Sequence, residues 1–325
     1  MKKLYLLLGF LLFVLLLLPS LVSDYILGVF VLIFFYAYMG QCWNILTGYA
    51  GPISLGHSLY LGIGAYLSTK LAMDLGLTPW IGMWVGGIGA SLVGLAIGFL
   101  GFRFGLRGVY FVLLTIAFAE IGRLVALHLK PLGHMMGLFV DFKPGWVNFH
   151  FRGNLPYYYI ALGYVLFSLI VVRMLEVSKW GRYFLAIRED EDAAESLGIN
   201  VFKYKMIAIG LSSFLTALGG TFYANYIFYL HPTSVMSMWV SIEIIMRPII
   251  GGIGTLFGPL IGSLLLTPLS EISRSYFTKA GLEGIHIVIY GLLLVIAVLF
   301  FPGGIYAYIK RTLKPILETS GSHGG

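Results

Sequence analysis

Charge is what this chain has least of. Asp, Glu, Lys and Arg make up 11% of its 325 residues, against 59% hydrophobic ones. A soluble chain of this size carries about one-quarter charged residues. Too few are present to cover a wet surface, which excludes a large soluble protein with an apolar core. Cysteine is almost absent as well, since Cys42 stands alone. That excludes an internal disulfide and any multi-cysteine metal site. No glycine is followed by lysine, so the chain has no P-loop for ATP. His-Glu-x-x-His and Gly-x-Ser-x-Gly are missing too, and no acid, base and nucleophile can be assembled into a catalytic set.

Apolar runs are present instead. A membrane span needs about 20 apolar residues. Ten such segments are predicted, at 4–20, 25–47, 55–72, 80–102, 108–128, 157–177, 206–228, 237–250, 256–272 and 285–301. The fold class is therefore an all-α polytopic bundle. Its 42 glycines suit close helix packing in lipid. The start, Met1-Lys2-Lys3 before Leu4 to Leu18, has the pattern of a signal peptide but reads better as a first membrane helix, because spans follow at once.

The net charge of +7 sorts by side of the membrane and needs no nucleic-acid partner. If the long charged loop 178–205 is cytoplasmic, Lys2 and Lys3 fall inside. Reading 237–272 as two spans also brings Lys310, Arg311 and Lys314 inside; one tilted span would strand them outside. Thirteen Lys and Arg then lie inside and six outside, as the positive-inside rule asks. Both termini are expected in the cytoplasm. Residues 1–305 are expected to form one transmembrane domain and 306–325 a cytoplasmic tail, whose end reads as a flexible terminus or an expression scar.

Two Gly- and Pro-containing stretches interrupt the apolar pattern, Gly48 to Ser58 and Gly251 to Pro259. Irregular backbone at membrane depth survives only beside protein or a water-filled cavity. Gly48, Gly51, Gly251, Gly252 and Gly254 thus mark either broken helices near a substrate path or tight hairpins.

The 178–205 loop reads as a short helix with Glu189, Asp190, Glu191 and Asp192 in its first turns and Gly198 as its stop. Ile187, Ala194 and Leu197 are expected to share a face. An interfacial helix usually carries Lys and Arg on its polar side. This one is acidic, which favours docking into a protein groove over lying in lipid.

Asp192-Ala193-Ala194-Glu195-Ser196-Leu197-Gly198 resembles the Glu-Ala-Ala-x-x-x-Gly coupling motif of ABC importer permeases, with Asp192 in place of Glu. The longer run from Ala186 to Ala194 resembles the M-type permease of the branched-chain amino acid (Liv) importers. So do Asn44 to His57, with Pro52 where the family usually has Gln, and Gly62 to Tyr66. Thr115 to Arg123, Gly251 to Pro259 and Phe301 to Gly304 agree as well. The resemblance implies a type II importer fold, a second H-type permease, two ATPases and a periplasmic or extracellular binding protein. ATP and Mg2+ would act in the ATPases, with no cofactor on this chain. It also implies an inner-membrane location, and coupling through Arg188, Glu189, Asp190, Asp192, Ala193, Ala194, Glu195 and Gly198.

Four charges fall inside predicted spans. Glu120 and Arg123 are three apart, and Glu243 and Arg247 four apart, so each pair can meet on its helix. They fix helix register, or they form a polar patch near a zwitterionic substrate's route; Arg247 could also reach Glu120. Asn44, Thr47, Ser54, His57 and Ser58 are candidates for the pathway lining, with helix capping as the alternative for Asn44, Thr47, His57 and Ser58. His57 and Ser58 are adjacent and so do not face each other as base and nucleophile. The rival reading is a transporter driven by an ion gradient without ATPases, which leaves the acidic loop unexplained.

Overall fold

The computed structural model of the chain describes residues 13–279, together with residues 9, 288, 291, 292, 295, 299 and 304–308. Helix α1 spans Asp24–Asn44 and runs into a wide π turn, Ile45–Tyr49. It is followed by α2 (His57–Leu75), α3 (Pro79–Arg103), α4 (Val109–His128) and α5 (Leu155–Val177). Two short helices come next, α6 (Lys179–Glu189) and α7 (Glu191–Ser196). Then follow α8 (Val201–Ile227), a single turn α9 (Pro232–Val235), α10 (Met238–Gly251) and α11 (Gly258–Lys279). Strands Leu138–Phe139 and Tyr229–Leu230 pair antiparallel.

Local chemistry sets the ends. Thr78 caps α3 by accepting from the Trp80 amide at 3.1 Å, and Pro79 takes the first helical position, where no amide is needed. Asn200 caps α8 through the Lys203 amide at 2.9 Å. The α3 face that packs inward is mainly small: Gly82, Gly86, Gly87, Ala90, Gly94, Gly98 and Gly101 are buried. It lies against α2 and α8, and α1 packs on α5 and α11. Small residues let backbones approach where lipid supplies no hydrophobic drive between helices.

Each of the eight middle segments expected from the sequence falls on a helix. Six helical segments among the described residues are long and apolar enough to cross a membrane: 24–49, 79–103, 109–128, 155–177, 201–227 and 232–251. Helices α2 and α11 are not among these six; Lys70 and Asp74 sit in one and Glu271 in the other. The 237–272 interval is two helices broken over 252–257. Residues 13–17 of the expected first segment are helical. Residues 4–8 and 10–12 of that segment, most of 285–301, and Lys2, Lys3, Lys310, Arg311 and Lys314 lie outside the described residues.

The loop between α4 and α5 holds a buried histidine. His150 Nδ1 accepts the Lys143 amide at 3.0 Å, so Nε2 carries the proton toward Asn225 Oδ1 at 3.1 Å. Burial holds its pKa below the ordinary 6.5. The unfolded chain therefore takes up a proton first as pH falls, and stability drops between 6.5 and the lowered value. We expect a lower Tm at pH 5.5 than at pH 7.5. His150→Gln should flatten that difference; an unchanged pH profile would assign it elsewhere.

Candidate functional site

The two glycine breaks meet at one end of the bundle. Two carboxamides from α1 satisfy backbone groups that the second break frees. Gln41 Nε2 donates to the Leu256 carbonyl at 2.8 Å. Asn44 Nδ2 donates to the Thr255 carbonyl at 3.0 Å, while its Oδ1 accepts the Gly254 amide at 2.8 Å. A Cβ on Gly48 would overlap Asn44 Oδ1 and lie 2.7 Å from the Gly254 nitrogen. Gly254 itself adopts φ +69°, which favours glycine. Gly252 (φ +135°) lies beside Gly304, where an added Cβ would fall 2.5 Å from the Gly252 Cα. Gly251 packs directly on Gly258.

Arg188 joins this end to the charged 178–205 segment. Its Nη1 donates to the Gly48 carbonyl at 2.5 Å, and its Nη2 to Glu189 Oε1 at 3.0 Å. The Arg188 backbone lies against Gly51, whose added Cβ would be 3.2 Å from the Arg188 Cα. The segment is two helices rather than the expected one. Asp190 is extended (φ −158°, ψ 112°), and its side chain accepts the amides of Asp192 and Ala193, both at 3.0 Å. An aspartate that caps a new helix cannot also sit inside the previous one. Gly198, at φ +82°, ends the second helix as expected. Ile187 and Ala194 are buried, but Leu197 is 81% exposed, which breaks the single face expected for the three. Ala193 and Glu195 are exposed beside it.

Arg107, in the α3–α4 loop, was not anticipated from the sequence. It pairs with Asp192 at 2.9 Å and with Glu191 at 3.2 Å. Lys205 also pairs with Glu191. The hydrogen bond and charge of Arg107 hold the Asp192 carboxyl below its ordinary range, and the carboxylates in turn raise Arg107. The pair is therefore intact at neutral pH, and its contribution is lost as acid protonates Asp192. A lone arginine in a glycine-rich loop carries no pattern that points to a partner 85 residues away. Gln41 did leave a signal, one turn before Asn44 on the same face of α1.

The five polar candidates lie in a hydrogen-bonded interior. Thr47 donates to the Pro52 carbonyl at 2.9 Å. Ser54 is 3.3 Å from His57 Nδ1, and His57 Nε2 is 2.9 Å from Ser212 Oγ. The Ser58 amide donates to Ser241 Oγ at 3.0 Å, and Ser58 Oγ to the Met236 carbonyl at 3.3 Å. Asn44, Ser54, His57 and Ser58 have no exposed surface, and Thr47 has 6%. Gly56 precedes α2 as its N-cap residue, and His57 takes the first helical position.

The charges within the helices divide into two kinds. Glu120 and Arg123 pair with each other on the outer side of α4, their side chains 48% and 19% exposed. Glu243 and Arg247 do not meet carboxylate to guanidinium in the expected manner. Arg247 donates to the Glu243 main-chain carbonyl, and Tyr36 Oη donates to Glu243 Oε2 at 2.6 Å. The Arg247 guanidinium lies over the Tyr36 ring, 3.7 Å from its centre.

A helical bundle with paired backbone breaks, charged groups inside it and an acidic segment anchored at one end defines a membrane transport subunit. The family described as branched-chain amino acid transport system / permease component matches residues 25–298, and the chain belongs to it. The high-affinity branched-chain amino acid permease protein LivM of Escherichia coli K12 is 27% identical over 320 residues, covering 91% of this chain and 73% of that one. LivH of the same strain is 24% identical over 284 residues, covering 83% and 90%. The fructose import permease protein FrcC of Rhizobium meliloti is 31% identical over 152 residues, covering 45% and 41%. No solved structure matches the chain. By family it is an M-type permease subunit of an ABC importer for branched-chain amino acids or related solutes, embedded in the inner membrane. Membership sets aside the gradient-driven transporter.

Proposed function

We propose that the chain forms half of a translocation pathway and transmits the state of separate ATPases to the glycine breaks. The observation that carries this reading is the Arg188–Gly48 contact, which ties the 178–205 segment to both breaks at once. The segment is cytoplasmic in this reading, its exposed Ala193 and Leu197 facing a cleft on an ATPase. Asp192 and Glu191 hold it in place through Arg107. Ten spans place both termini inside, with the type II importer arrangement, residues 1–305 as the domain and 306–325 as the tail. ATP and Mg2+ belong to the ATPases, and a binding protein delivers solute at the opposite face.

The outer face of α4 supports a second, H-type permease as neighbour. Tyr110, Leu113, Ile121 and Val125 are exposed there around the Glu120–Arg123 pair. Charges at membrane depth are costly against lipid and are normally covered by protein or water.

Co-purification in mild detergent, with each companion identified by mass spectrometry, tests the assembly. A second permease with ATPases is expected; a stable species of this chain alone, transporting without ATP, would refute it. Ala193→Trp and Leu197→Glu should each reduce recovered ATPase by about tenfold, a loss near 1.4 kcal/mol, with the bundle still monodisperse. Ala194→Trp, at a buried site, should instead destabilise the protein by about 1–3 kcal/mol. Normal ATPase recovery with both surface variants would remove this segment from the interface.

A further inference from the structure

The loop between α4 and α5 carries a short hairpin that the transport reading leaves unused. Gly145 and His150 pair as an antiparallel bridge, the Gly145 amide donating to the His150 carbonyl at 2.9 Å. Asn148 Nδ2 closes the turn by donating to the Lys143 carbonyl at 3.1 Å. The base of the hairpin is fixed to the bundle. Phe149 is buried and stacks on Trp80 of α3, their ring centres 4.3 Å apart. Trp80 Nε1 donates to the Trp146 carbonyl at 2.7 Å, and His150 is bonded to Asn225 of α8. The tip is the reverse: Trp146 and Val147 are 64% and 67% exposed.

Position decides what the tip meets. Trp80 lies one turn before Trp84, which is exposed with Ile81, Val85, Ile88 and Leu92 on the side of α3 away from its buried glycines. Since α3 is long and apolar enough to span, that stripe is its lipid side, and the hairpin sits at its end. Lys143 and Arg152 flank the tip, exposed and without an ion pair among the described residues, and Asp141 is the one acid between 138 and 153. Tryptophan concentrates where hydrocarbon gives way to headgroups, and basic residues at that level attract anionic lipid. Trp146 Nε1 has no acceptor among the described residues, and an indole N–H at that depth finds one in a headgroup. We infer that residues 143–152 form a preformed docking site for an anionic phospholipid. Trp146 and Val147 enter the bilayer interface, Lys143 and Arg152 hold the phosphate, and the ends of α3 and α8 are seated at a fixed depth. This goes beyond the importer reading, because it needs α3 to span the membrane but neither a particular solute nor the ATPases.

The test uses the whole importer in lipid nanodiscs, with Val147→Cys carrying an environment-sensitive fluorophore. Wild type, whose one cysteine is buried, is the blank for label on companion subunits. Labelled Leu92→Cys on the lipid stripe and labelled Glu195→Cys on the acidic segment bracket the range from hydrocarbon to water. We expect blue-shifted emission from position 147 that lipid with brominated acyl chains quenches. Brominated phosphatidylglycerol should quench about twofold more than brominated phosphatidylcholine at equal mole fraction, given the pull of basic residues on anionic lipid. Lys143→Gln with Arg152→Gln should abolish that difference and leave the Tm unchanged, since both side chains are exposed. Water-like emission without quenching would overturn the inference. Shielded emission that brominated lipid does not quench would overturn it too, by assigning the hairpin to a neighbouring subunit, and so would shielding that appears only when the binding protein is added. Equal quenching by the two lipids would remove the anionic preference and with it the site. ATP hydrolysis in the same discs reports on the importer reading separately.

Discussion

Arg188→Ala should uncouple the importer, lowering solute moved per ATP hydrolysed by about tenfold to a hundredfold. Arg188 makes a charge-assisted bond to the Gly48 carbonyl, a class of contact that contributes about 1.5–3 kcal/mol. Nothing else among the described contacts ties the acidic segment to that carbonyl. Removing it leaves a main-chain acceptor unsatisfied inside the bundle and frees the segment to move without the breaks. Arg188→Lys should recover only part of the effect, because an ammonium cannot bond Gly48 and Glu189 with a fixed fork. The measurement is transport against ATP hydrolysis in proteoliposomes. A wild-type ratio for Arg188→Ala would sink the coupling route proposed for it.

Gly48→Val should have the second large effect, and a different one. A side chain there collides with Asn44 Oδ1 and the Gly254 backbone together. Neither can yield cheaply, since Asn44 is the group that satisfies Gly254 and Thr255. Overpacking costs about 1–3 kcal/mol, and losing a buried hydrogen bond adds about 1–3 kcal/mol more. We expect a marked fall in Tm and little monodisperse protein. Gly76→Ala, at a helix end where nothing lies within reach, is the control and should cost only the strain of φ +64°. Comparable losses for the two would mean that the close approach of the breaks carries no special weight.

Much of this was legible in the sequence, for reasons that can be named. The eight middle segments could be placed because lipid forces backbone groups to pair within helices, so apolar runs and helices coincide. The glycine breaks were visible because glycine and proline punctuate such runs. Their meeting was not, since pairing between residues 44 and 254 depends on how α1 and α10 are laid side by side. The acidic segment was identified by charge, but the double role of Asp190 was hidden. Four consecutive acids look alike until one leaves the helix to cap the next. Asn44, Ser54, His57 and Ser58 were noticed because polar residues are scarce here. Polarity alone could not distinguish lining a path from satisfying neighbouring backbone, and here they lie among protein partners. Arg107 escaped because a loop arginine has its meaning only in what it faces.

The Glu120–Arg123 pair on the outer side of α4 bears on how the subunit is made. A newly inserted copy presents that pair to hydrocarbon until something covers it. Copies made in excess of their neighbour would remain in that exposed condition, the kind of defect that membrane proteases survey. The abundance of this chain would then be set by the supply of its companion, and stoichiometry would be enforced by turnover rather than by matched synthesis.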